Sequence, residues 1–318
     1  MPDTAALSVG LKDIEDARER VRAVAFRTPL VPLQSDENEG IHLKLENLQR
    51  LGSFKIRGAY NRMSRTTADE RRRGFVTTSA GNHGQAVAWI SKSFGSPCTV
   101  YVPDTAVARK LDSMRSMGAR IVSVPHDQIM EMMTDDRLTR GASVYIHPFG
   151  DPAIVAGTGT IGLEIHEALP DAATVLVPVG GGGLSLGIAT ALSALSPGAR
   201  VYGVQAEGAA PLAASFRTGR AERLATATTI ADGIAASYVF DYMWPHLSRK
   251  LAGCLTVGDD AIKSAMNQIA QSARAIAEPA GASSLAAALK YRDLPRPVVC
   301  VVSGGNVDPK LFKDVTTR

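Results

Sequence analysis

The segment "TVLVPVGGGGLSLG" (174–187) joins an apolar run, residues 174–179, to four consecutive glycines and then to a stretch with helical spacing. A strand that is apolar on both faces is typical of a parallel sheet covered by helices on both sides. Four glycines at the turn into a helix permit positive φ and let several backbone N–H groups converge, which suits a phosphate dianion. The segment is not a nucleotide-binding G-x-x-x-x-G-K-[ST] loop. As G-x-G-x-x-G it is a weak match, because the next strand ends in Gln205 and Ala206 rather than an acidic residue.

Short apolar runs rich in β-branched residues alternate with helical spacing through most of the chain. Further strands are predicted at residues 41–46, 74–79, 98–103, 119–124, 143–148, 199–206 and 296–303. Helices are predicted at residues 11–26, 84–94, 106–118 and 184–195. In folds with this alternation the sheets are parallel and ligands bind at the carboxyl ends of the strands. The sequence therefore predicts a two-lobed α/β fold with parallel sheets covered by helices.

The composition argues against several classes of partner. With 45% hydrophobic and 21% charged residues, the 318-residue chain is ordinary for a globular protein. No apolar run reaches the roughly 18–20 residues that span a bilayer, and the polar N-terminus lacks the apolar core of a signal peptide. The net charge is +4, but the basic residues are scattered, and the compact run at 71–73 follows two acidic residues. Neither a nucleic acid nor a membrane is expected as a partner.

Cysteine and histidine spacing bears on the compartment and on metals. Cys98, Cys254 and Cys300 are far apart, and the first and last lie in strand-like runs. Buried, unreactive thiols in a reducing, cytoplasmic compartment are therefore expected. None of the six histidines has metal-ligand spacing with another histidine or a cysteine, so no metal site is expected.

Two more polar clusters follow predicted strands. In "TTSAGNHGQ" (77–85), small residues and Asn82 lie where the chain turns into a helix, which could cradle a carboxylate. The alternative is an ordinary helix cap provided by Ser79 or Asn82. In "VVSGGNVD" (301–308), Ser303 could cap a helix or could offer a neutral hydroxyl to a buried heteroatom.

The segment "GSFKIRGAY" (52–60) places Lys55 between Phe54 and Ile56, with a glycine three residues away on either side. A lone lysine is most often a solvated surface residue. Burial, however, would lower the pKa of its ammonium group, and a neutral amine can form a Schiff base with an aldehyde. Together with a phosphate cradle, a serine hydroxyl and an amide-rich loop, it implies a ligand with an aldehyde, a phosphate and a ring nitrogen. Pyridoxal 5′-phosphate is that ligand, held covalently by Lys55.

Seven motifs carry a family resemblance: "KLENLQRLGSFKIRGAYN", "TTSAGNHGQA", "AGTGTIGLEI", "VPVGGGGLSLGIA", "TIADGIA", "AEPAGA" and "VVSGGNVD". In this order, over roughly residues 10–310, they resemble the pyridoxal-phosphate enzymes of the tryptophan synthase β-subunit fold (fold type II). Within that fold they are most similar to threonine and serine dehydratases and serine racemases. With no room left at the C-terminus for an amino-acid-sensing domain, the chain resembles the short, catabolic-type threonine dehydratases. The resemblance implies a large cofactor-binding domain of residues 1–50 and 151–318, and a small domain of residues 51–150 that carries the Asn82 loop.

The resemblance also implies a role for each matching residue. Lys55 is the catalytic residue: it binds the cofactor aldehyde as a Schiff base and removes the Cα proton. The implied cofactor contacts are Phe54 and Lys55, Asn82 at the 3′-oxygen, Gly180, Gly181, Gly182, Gly183 and Leu184 around the phosphate, Ser303 at the pyridine nitrogen, and Gly233 and Glu278 near the ring. The implied substrate loop consists of Ser79, Ala80, Gly81, Asn82 and His83, of which Ser79, Asn82 and His83 hold the carboxylate.

Three positions depart from relatives within the resemblance. Ala80 stands where racemases carry a second serine, and Gln205 and Pro211 stand where magnesium-dependent members carry acidic residues. Racemisation and divalent-metal activation are therefore not expected. A serine at the ring nitrogen makes the ring a weaker electron sink than a carboxylate would, which favours loss of a β-leaving group over transamination.

The expected reaction is β-elimination of water from L-threonine or L-serine, which gives a 2-oxo acid and ammonia. The alternatives on the same cofactor are serine racemisation and dehydration of a related substrate such as 3-hydroxyaspartate or a phenylserine. A nicotinamide-dependent dehydrogenase and a non-catalytic cofactor carrier are alternatives of other classes. The resemblance further implies a homo-oligomer, a dimer or a tetramer, that acts on a small amino-acid substrate.

Overall fold

Two β-sheets covered by helices organise the chain in a computed structural model that describes residues 7–34, 38–106, 108–134, 138 and 141–317. The six-stranded sheet has the order β1-β2-β10-β7-β8-β9, and the four-stranded sheet has the order β5-β4-β3-β6. The strands are β1 (Leu30–Pro32), β2 (Ile41–Lys44), β3 (Phe75–Thr78), β4 (Cys98–Pro103), β5 (Arg120–Val124), β6 (Val144–Tyr145), β7 (Thr174–Pro178), β8 (Arg200–Ala206), β9 (Gly253–Val257) and β10 (Val298–Val301). β1 pairs antiparallel with β2, and the other pairs are parallel.

Helices cover the faces of these sheets and connect the parallel strands. They are α1 (Leu11–Val21), α2 (Lys55–Ser64), α3 (Ala68–Arg73), α4 (Asn82–Ser93), α5 (Ala108–Ser116), α6 (His126–Thr134), α7 (Pro152–Ala168), α8 (Gly183–Leu195), α9 (Pro211–Thr218), α10 (Trp244–Lys250), α11 (Asp259–Ala273), α12 (Pro279–Lys290) and α13 (Pro309–Thr316). Within the described ranges, no helix is long and apolar enough to cross a membrane. The predicted fold class, parallel sheets covered by helices, is confirmed.

The central strand β7 shows why apolar and polar residues do not alternate in the run at 174–179. All five of its residues are buried. Val175 and Val177 pack into the apolar cluster on one face of the six-stranded sheet, and Leu176 packs into the cluster on the other face. A strand that contributes to two cores has no polar face, so its sequence is continuously apolar.

Each strand predicted from the sequence has a counterpart, but several boundaries are different. The strand predicted at 41–46 ends at Lys44, and the one at 143–148 covers only Val144–Tyr145. The predicted helix 11–26 ends at Val21, because Val24 and Ala25 pack against the core of the four-stranded sheet and not beside Ile14.

Two strands were not predicted from the sequence. β1 follows Pro29 and ends at Pro32, two prolines that disfavour a strand prediction, and β9 is a half-buried edge strand that begins at a glycine. The strands of the four-stranded sheet fall within residues 51–150 and those of the six-stranded sheet fall outside that range. The domain boundaries at residues 50 and 150 remain a prediction.

A buried cluster of four charges anchors α2, the helix that begins at Lys55. Arg57 donates through Nε to Glu46 Oε2 at 2.8 Å and through Nη1 to Glu164 Oε1 at 2.7 Å. Lys44 Nζ lies 2.6 Å from Glu164 Oε2, so two cations balance two anions. Burial opposes ionisation of Glu46, but the Arg57 guanidinium outweighs it and lowers the pKa of that carboxyl. Such a cluster holds α2 in place through partners in β2, α7 and the turn after β2.

The three cysteines are free, and burial raises the pKa of each thiol. Cys98 and Cys300 are buried as expected, whereas Cys254 is half-buried on the edge strand β9. Weakly acidic thiols are poor nucleophiles, which supports the interpretation of these residues as unreactive.

Candidate active site

Loops that follow strands of both sheets line one cavity of about 540 Å³. β10 and β7 are neighbours in the six-stranded sheet, and β3 is a central strand of the four-stranded sheet. The carboxyl ends of these three strands lead into the polar clusters of the sequence. The cavity is lined by every residue that was predicted to form the site: Phe54, Lys55, Ser79, Ala80, Gly81, Asn82, His83, Gly180, Gly181, Gly182, Gly183, Leu184, Gly233, Glu278 and Ser303.

Lys55 is the first residue of α2 and faces this cavity. Its amine donates to the carbonyl of Pro148 at 2.8 Å and lies 5.1 Å from the centre of the Phe54 ring. The residue is half-buried, because its side chain reaches into the cavity. Desolvation of the amine lowers its pKa to about 8, and the negative charge of Glu278 opposes that shift. A substantial fraction of this amine is neutral at mildly alkaline pH, as a Schiff-base lysine requires.

The four glycines form the turn from β7 into α8. Gly182 caps α8 with φ +94°, in the left-handed region that favours glycine. A Cβ on Gly181 would lie 2.2 Å from the Phe149 ring, so a side chain there has no room. Among the described residues, no protein acceptor receives a hydrogen bond from the amides of residues 180–184. Free amides at the N-terminus of a helix form an anion-binding site, so this turn fits the phosphate of the cofactor.

Asn82 lies in a chain of side-chain hydrogen bonds across the cavity. Its Nδ2 donates to Glu278 Oε1 at 2.8 Å, and its Oδ1 accepts from Asn306 Nδ2 at 2.8 Å. Asn306 also donates to the carbonyl of Leu51 at 2.8 Å. These partners fix which end of the Asn82 amide faces each neighbour. Gly304 completes the arrangement, because a Cβ there would lie 2.3 Å from Glu278 Oε1.

The substrate loop predicted from the sequence ends at the N-terminus of α4. Asn82 is the first residue of that helix and Gly81 is its cap. The hydroxyl of Ser79 accepts from the amide of Gly81 at 3.2 Å, and a Cβ added to Gly81 would meet open space. The ring of His83 is buried, with Nε2 3.1 Å from the carbonyl of Ile146, and burial lowers its pKa well below the ordinary value. A neutral His83 adds no positive charge, so the backbone amides of this helix start are the groups suited to a carboxylate.

Ser303 is the second residue after β10 and lies beside the start of α2. Its carbonyl accepts from the amide of Phe54 at 3.1 Å, and Ser53 forms an isolated bridge with Gly304. Ser303 is buried and lines the cavity, and its hydroxyl has no hydrogen-bond partner among the described residues. The sequence left two possibilities for this serine. It caps no helix in the structure, because α13 is capped by Asp308, and its hydroxyl suits a ligand heteroatom.

Gln205 and Pro211 are used structurally in the positions where a metal ligand was considered. The Gln205 side chain accepts from the amides of Leu212 and Ala213 at 2.9 and 3.3 Å, and donates to the carbonyl of Val179 at 3.2 Å. Pro211 is the first residue of α9, the helix that these bonds cap. Across the described part of the chain, no group of three His, Cys, Asp or Glu side chains is placed to hold a metal ion.

Three residues of the site were missed by reasoning from the sequence. Pro148 accepts from the Lys55 amine, Phe149 packs against the glycine turn, and Asn306 orients Asn82. Asn306 belongs to the motif "VVSGGNVD", so its place after a strand end could have identified it. Pro148 and Phe149 follow the two-residue strand β6. The strand was predicted to extend to residue 148, so the loop that begins earlier was not recognised.

Comparison with known proteins agrees with this geometry. Residues 21–304 match the family described as "Pyridoxal-phosphate dependent enzyme". The chain is 40% identical over 316 residues to the L-threonine ammonia-lyase of Thermotoga maritima, which covers 98% of this chain and 79% of that protein. It superposes on threonine deaminase isoform 2 of Solanum lycopersicum with a TM-score of 0.84 and 32% identity, covering 96% of this chain and 93% of that one. Maize serine racemase gives a TM-score of 0.87 at 31% identity, with 96% of each chain covered.

Proposed function

This chain belongs to the family of pyridoxal-phosphate-dependent enzymes, and we propose that it eliminates water from L-threonine or L-serine. The products are a 2-oxo acid and ammonia. The observation that carries the proposal is the Lys55 amine, with a pKa of about 8, in one cavity with the free amides of the glycine turn and the Ser303 hydroxyl. The threonine ammonia-lyase of Thermotoga maritima, 40% identical, supports this choice of substrate.

Pyridoxal phosphate, when bound, supplies an aldehyde for the substrate amine and a ring that draws electron density from Cα. The protein supplies the remaining groups. Residues 180–184 are proposed to bind the phosphate through their amides, with Phe54 beside the ring and Gly233 and Glu278 near it. Asn82, held by Glu278 and Asn306, presents its amide to the ring substituent. Ser303 offers a neutral hydroxyl to the ring nitrogen and so leaves that nitrogen weakly basic.

The substrate is proposed to bind with its carboxylate at the start of α4, in the loop from Ser79 to His83. Asn82 and His83, the first residues of that helix, line the cavity, and among the described residues their amides donate to no protein acceptor. Lys55, once its amine is free, takes the Cα proton at Nζ, because the neutral form of the amine is available near pH 8. The carbonyl of Pro148 holds that amine in one direction.

Turnover of L-threonine and L-serine by the purified protein, measured as 2-oxo acid released, tests the proposal. Lys55→Ala should abolish it, because no other described lysine lines the cavity. Lys263→Ala, at a half-buried lysine that is paired with Asp260 and lies outside the cavity lining, is the matched control and should leave the rate unchanged. Residual turnover by Lys55→Ala comparable to the wild type would refute the assignment.

A second candidate function is serine racemisation, which the likeness to maize serine racemase favours. A racemase needs a second acid–base group on the face of Cα opposite Lys55. Ala80 lines the cavity in the loop where racemases carry a serine, and a methyl group transfers no proton. Chiral chromatography of an L-serine incubation should therefore show pyruvate far in excess of D-serine, and Ala80→Ser should raise the D-serine yield. D-Serine formed as fast as pyruvate would favour the racemase.

Assembly and compartment are proposals as well. We infer a homo-oligomer, a dimer or a tetramer, from the resemblance. We infer a cytoplasmic location from the three free cysteines with weakly acidic thiols. Light scattering of the purified protein at several concentrations tests the assembly. A mass that stays at 33.6 kDa throughout would refute it.

A further inference from the structure

The loop between β6 and α7, residues 146–151, touches two parts of the candidate site. The carbonyl of Pro148 accepts from the Lys55 amine at 2.8 Å. The ring of Phe149 lies against the glycine turn, where a Cβ on Gly181 would be 2.2 Å from Cδ1. The path of this loop therefore sets both the direction of the amine and one wall of the phosphate site.

His147 holds the path of this loop from outside the cavity. Its Nδ1 accepts from two backbone amides, that of Phe149 at 3.1 Å and that of Gly150 at 2.7 Å. The Phe149 ring stands edge-on to the imidazole at 4.6 Å between centres, and Tyr145 packs against it at 5.7 Å. The His147 side chain therefore closes the turn around Pro148 by binding the two amides that follow it, and the carbonyl of Pro148 faces Lys55.

The two amides decide the tautomer of His147. A nitrogen that accepts two N–H groups carries no proton, so the proton lies on Nε2, which has the Tyr242 hydroxyl at 3.3 Å and the backbone carbonyl of Met133 as neighbours. Desolvation lowers the pKa of His147 to about 4. Asp151 and the carbonyl of Met133 oppose this shift, and Lys55 adds to it. The ring therefore stays neutral, and Nδ1 stays an acceptor, at every pH where a lysine with a pKa of about 8 acts.

We propose that His147 is a positioning residue that aims the Lys55 amine by holding the Pro148 carbonyl in place. The inference rests on the proposed function, because it gives Lys55 the cofactor-binding role. Loss of the imidazole leaves two amides without their acceptor and lets the loop relax. The amine then loses its fixed direction, and the Phe149 ring loses its place against Gly181. A displacement of about 1 Å at a reacting group is enough to slow a reaction by about 100-fold.

Three variants separate this role from a purely structural one. His147→Leu removes the acceptor at similar volume. His147→Asn keeps an acceptor, because its amide oxygen takes the position of Nδ1 and can receive both N–H groups. His166→Leu is the matched control: His166 is also half-buried, but it contacts Ser196 at 2.8 Å and lies outside the cavity lining.

The measurement follows attachment of the cofactor to Lys55, independent of turnover. Each protein is freed of cofactor, mixed with pyridoxal 5′-phosphate and reduced with borohydride after set times. The peptide with Lys55 is then quantified by mass from pH about 6 to about 10. Circular dichroism and melting temperature check the fold of each variant.

His147→Leu should attach the cofactor at least about fivefold more slowly and with a shifted pH midpoint. His147→Asn should recover the wild-type rate to within about twofold, and His166→Leu should match the wild type in both rate and midpoint. The proposal is overturned if His147→Leu keeps the wild-type rate and midpoint. It is equally overturned if His147→Asn is as slow as His147→Leu at the same melting temperature.

Turnover of L-threonine is assayed on the same samples. A wild type that attaches the cofactor as expected but releases no 2-oxo acid would refute the proposed function and leave the role of His147 standing. If the wild type turns over L-threonine and His147→Leu attaches the cofactor as the wild type does, the proposed function stands and the role of His147 is refuted.

Discussion

The amine of Lys55 should titrate far below an ordinary lysine. Burial lowers its pKa from 10.5 to about 8, against the opposing charge of Glu278. At pH about 8, roughly half of these amines are neutral, compared with roughly 0.3% of amines with an ordinary pKa, a difference of about 150-fold. Because only the neutral amine attacks an aldehyde, Lys55 should react with the cofactor at a pH where surface lysines are almost inert.

The assay compares two lysines in the same protein. Cofactor-free protein is mixed with pyridoxal 5′-phosphate, reduced with borohydride and digested, and labelling of Lys55 and Lys12 is followed against pH. Lys12 is exposed and bonded to Asp16, which raises its pKa, so it serves as the internal control. Labelling of Lys55 should rise as the pH rises through about 8, because the neutral form increases in that direction, and Lys12 should show no such midpoint.

Removal of the Glu278 charge tests the direction in which this carboxylate shifts the pKa of Lys55. Glu278→Gln keeps an oxygen that can accept from Asn82 but loses the negative charge that raises the pKa of Lys55. The labelling midpoint should therefore move to lower pH than in the wild type. A wild-type midpoint at or above pH about 10, or an upward shift in Glu278→Gln, would refute the argument from burial.

Gly181→Ala should release cofactor on dialysis, measured by absorbance, while Gly198→Ala, at an exposed glycine with open space around it, should retain it. Equal retention would show that the phosphate binds elsewhere. EDTA should leave 2-oxo acid production within about twofold of its starting rate, because Gln205 is committed to capping a helix. A larger loss that magnesium restores would contradict this. Arg57→Leu should lower the free energy of unfolding by about 3–5 kcal/mol in denaturant titrations, since it leaves the buried Glu46 without its ion pair and leaves Glu164 with Lys44 alone. Arg62→Leu, at a more exposed pair, should cost about 0–1 kcal/mol, and equal costs would argue against the buried cluster.

Local features of the sequence predicted the parts of the site that lie directly after strands. The glycine turn, the Asn82 loop and Ser303 each follow an apolar run, and parallel strands bring their carboxyl ends to one edge of a sheet. A few consecutive residues are enough to predict both a strand and the glycine turn that follows it. The convergence of these loops on one cavity was expected from the single ligand that their chemistry implies and from the resemblance, and not from spacing.

Contacts between distant segments were beyond such reasoning. Arg57 is two residues from Lys55 and reads as an ordinary helix charge, yet its partners lie 11 and 107 positions away. Apolar and polar residues alternate in the strand predicted at 41–46, a pattern typical of a solvent-facing Lys44, but Lys44 is buried against Glu164. His147 is one of six histidines without a metal spacing, and only the folded loop shows that its Nδ1 accepts two amides.

Most of the described groups suited to bind anions in the site do not titrate. The pH dependence of substrate binding should therefore differ from that of the catalytic step. The amides at the starts of α4 and α8 keep their partial positive charge at every pH, and His83 stays neutral because burial lowers its pKa well below the ordinary value. Lys55 is the one group in this set that changes protonation near pH 8. The substrate KM should therefore stay nearly flat from pH about 7 to about 9, whereas kcat should rise with the neutral fraction of the Lys55 amine. A KM that rises steeply over this range with a constant kcat would mean that a titrating cation, and not the start of α4, holds the substrate carboxylate.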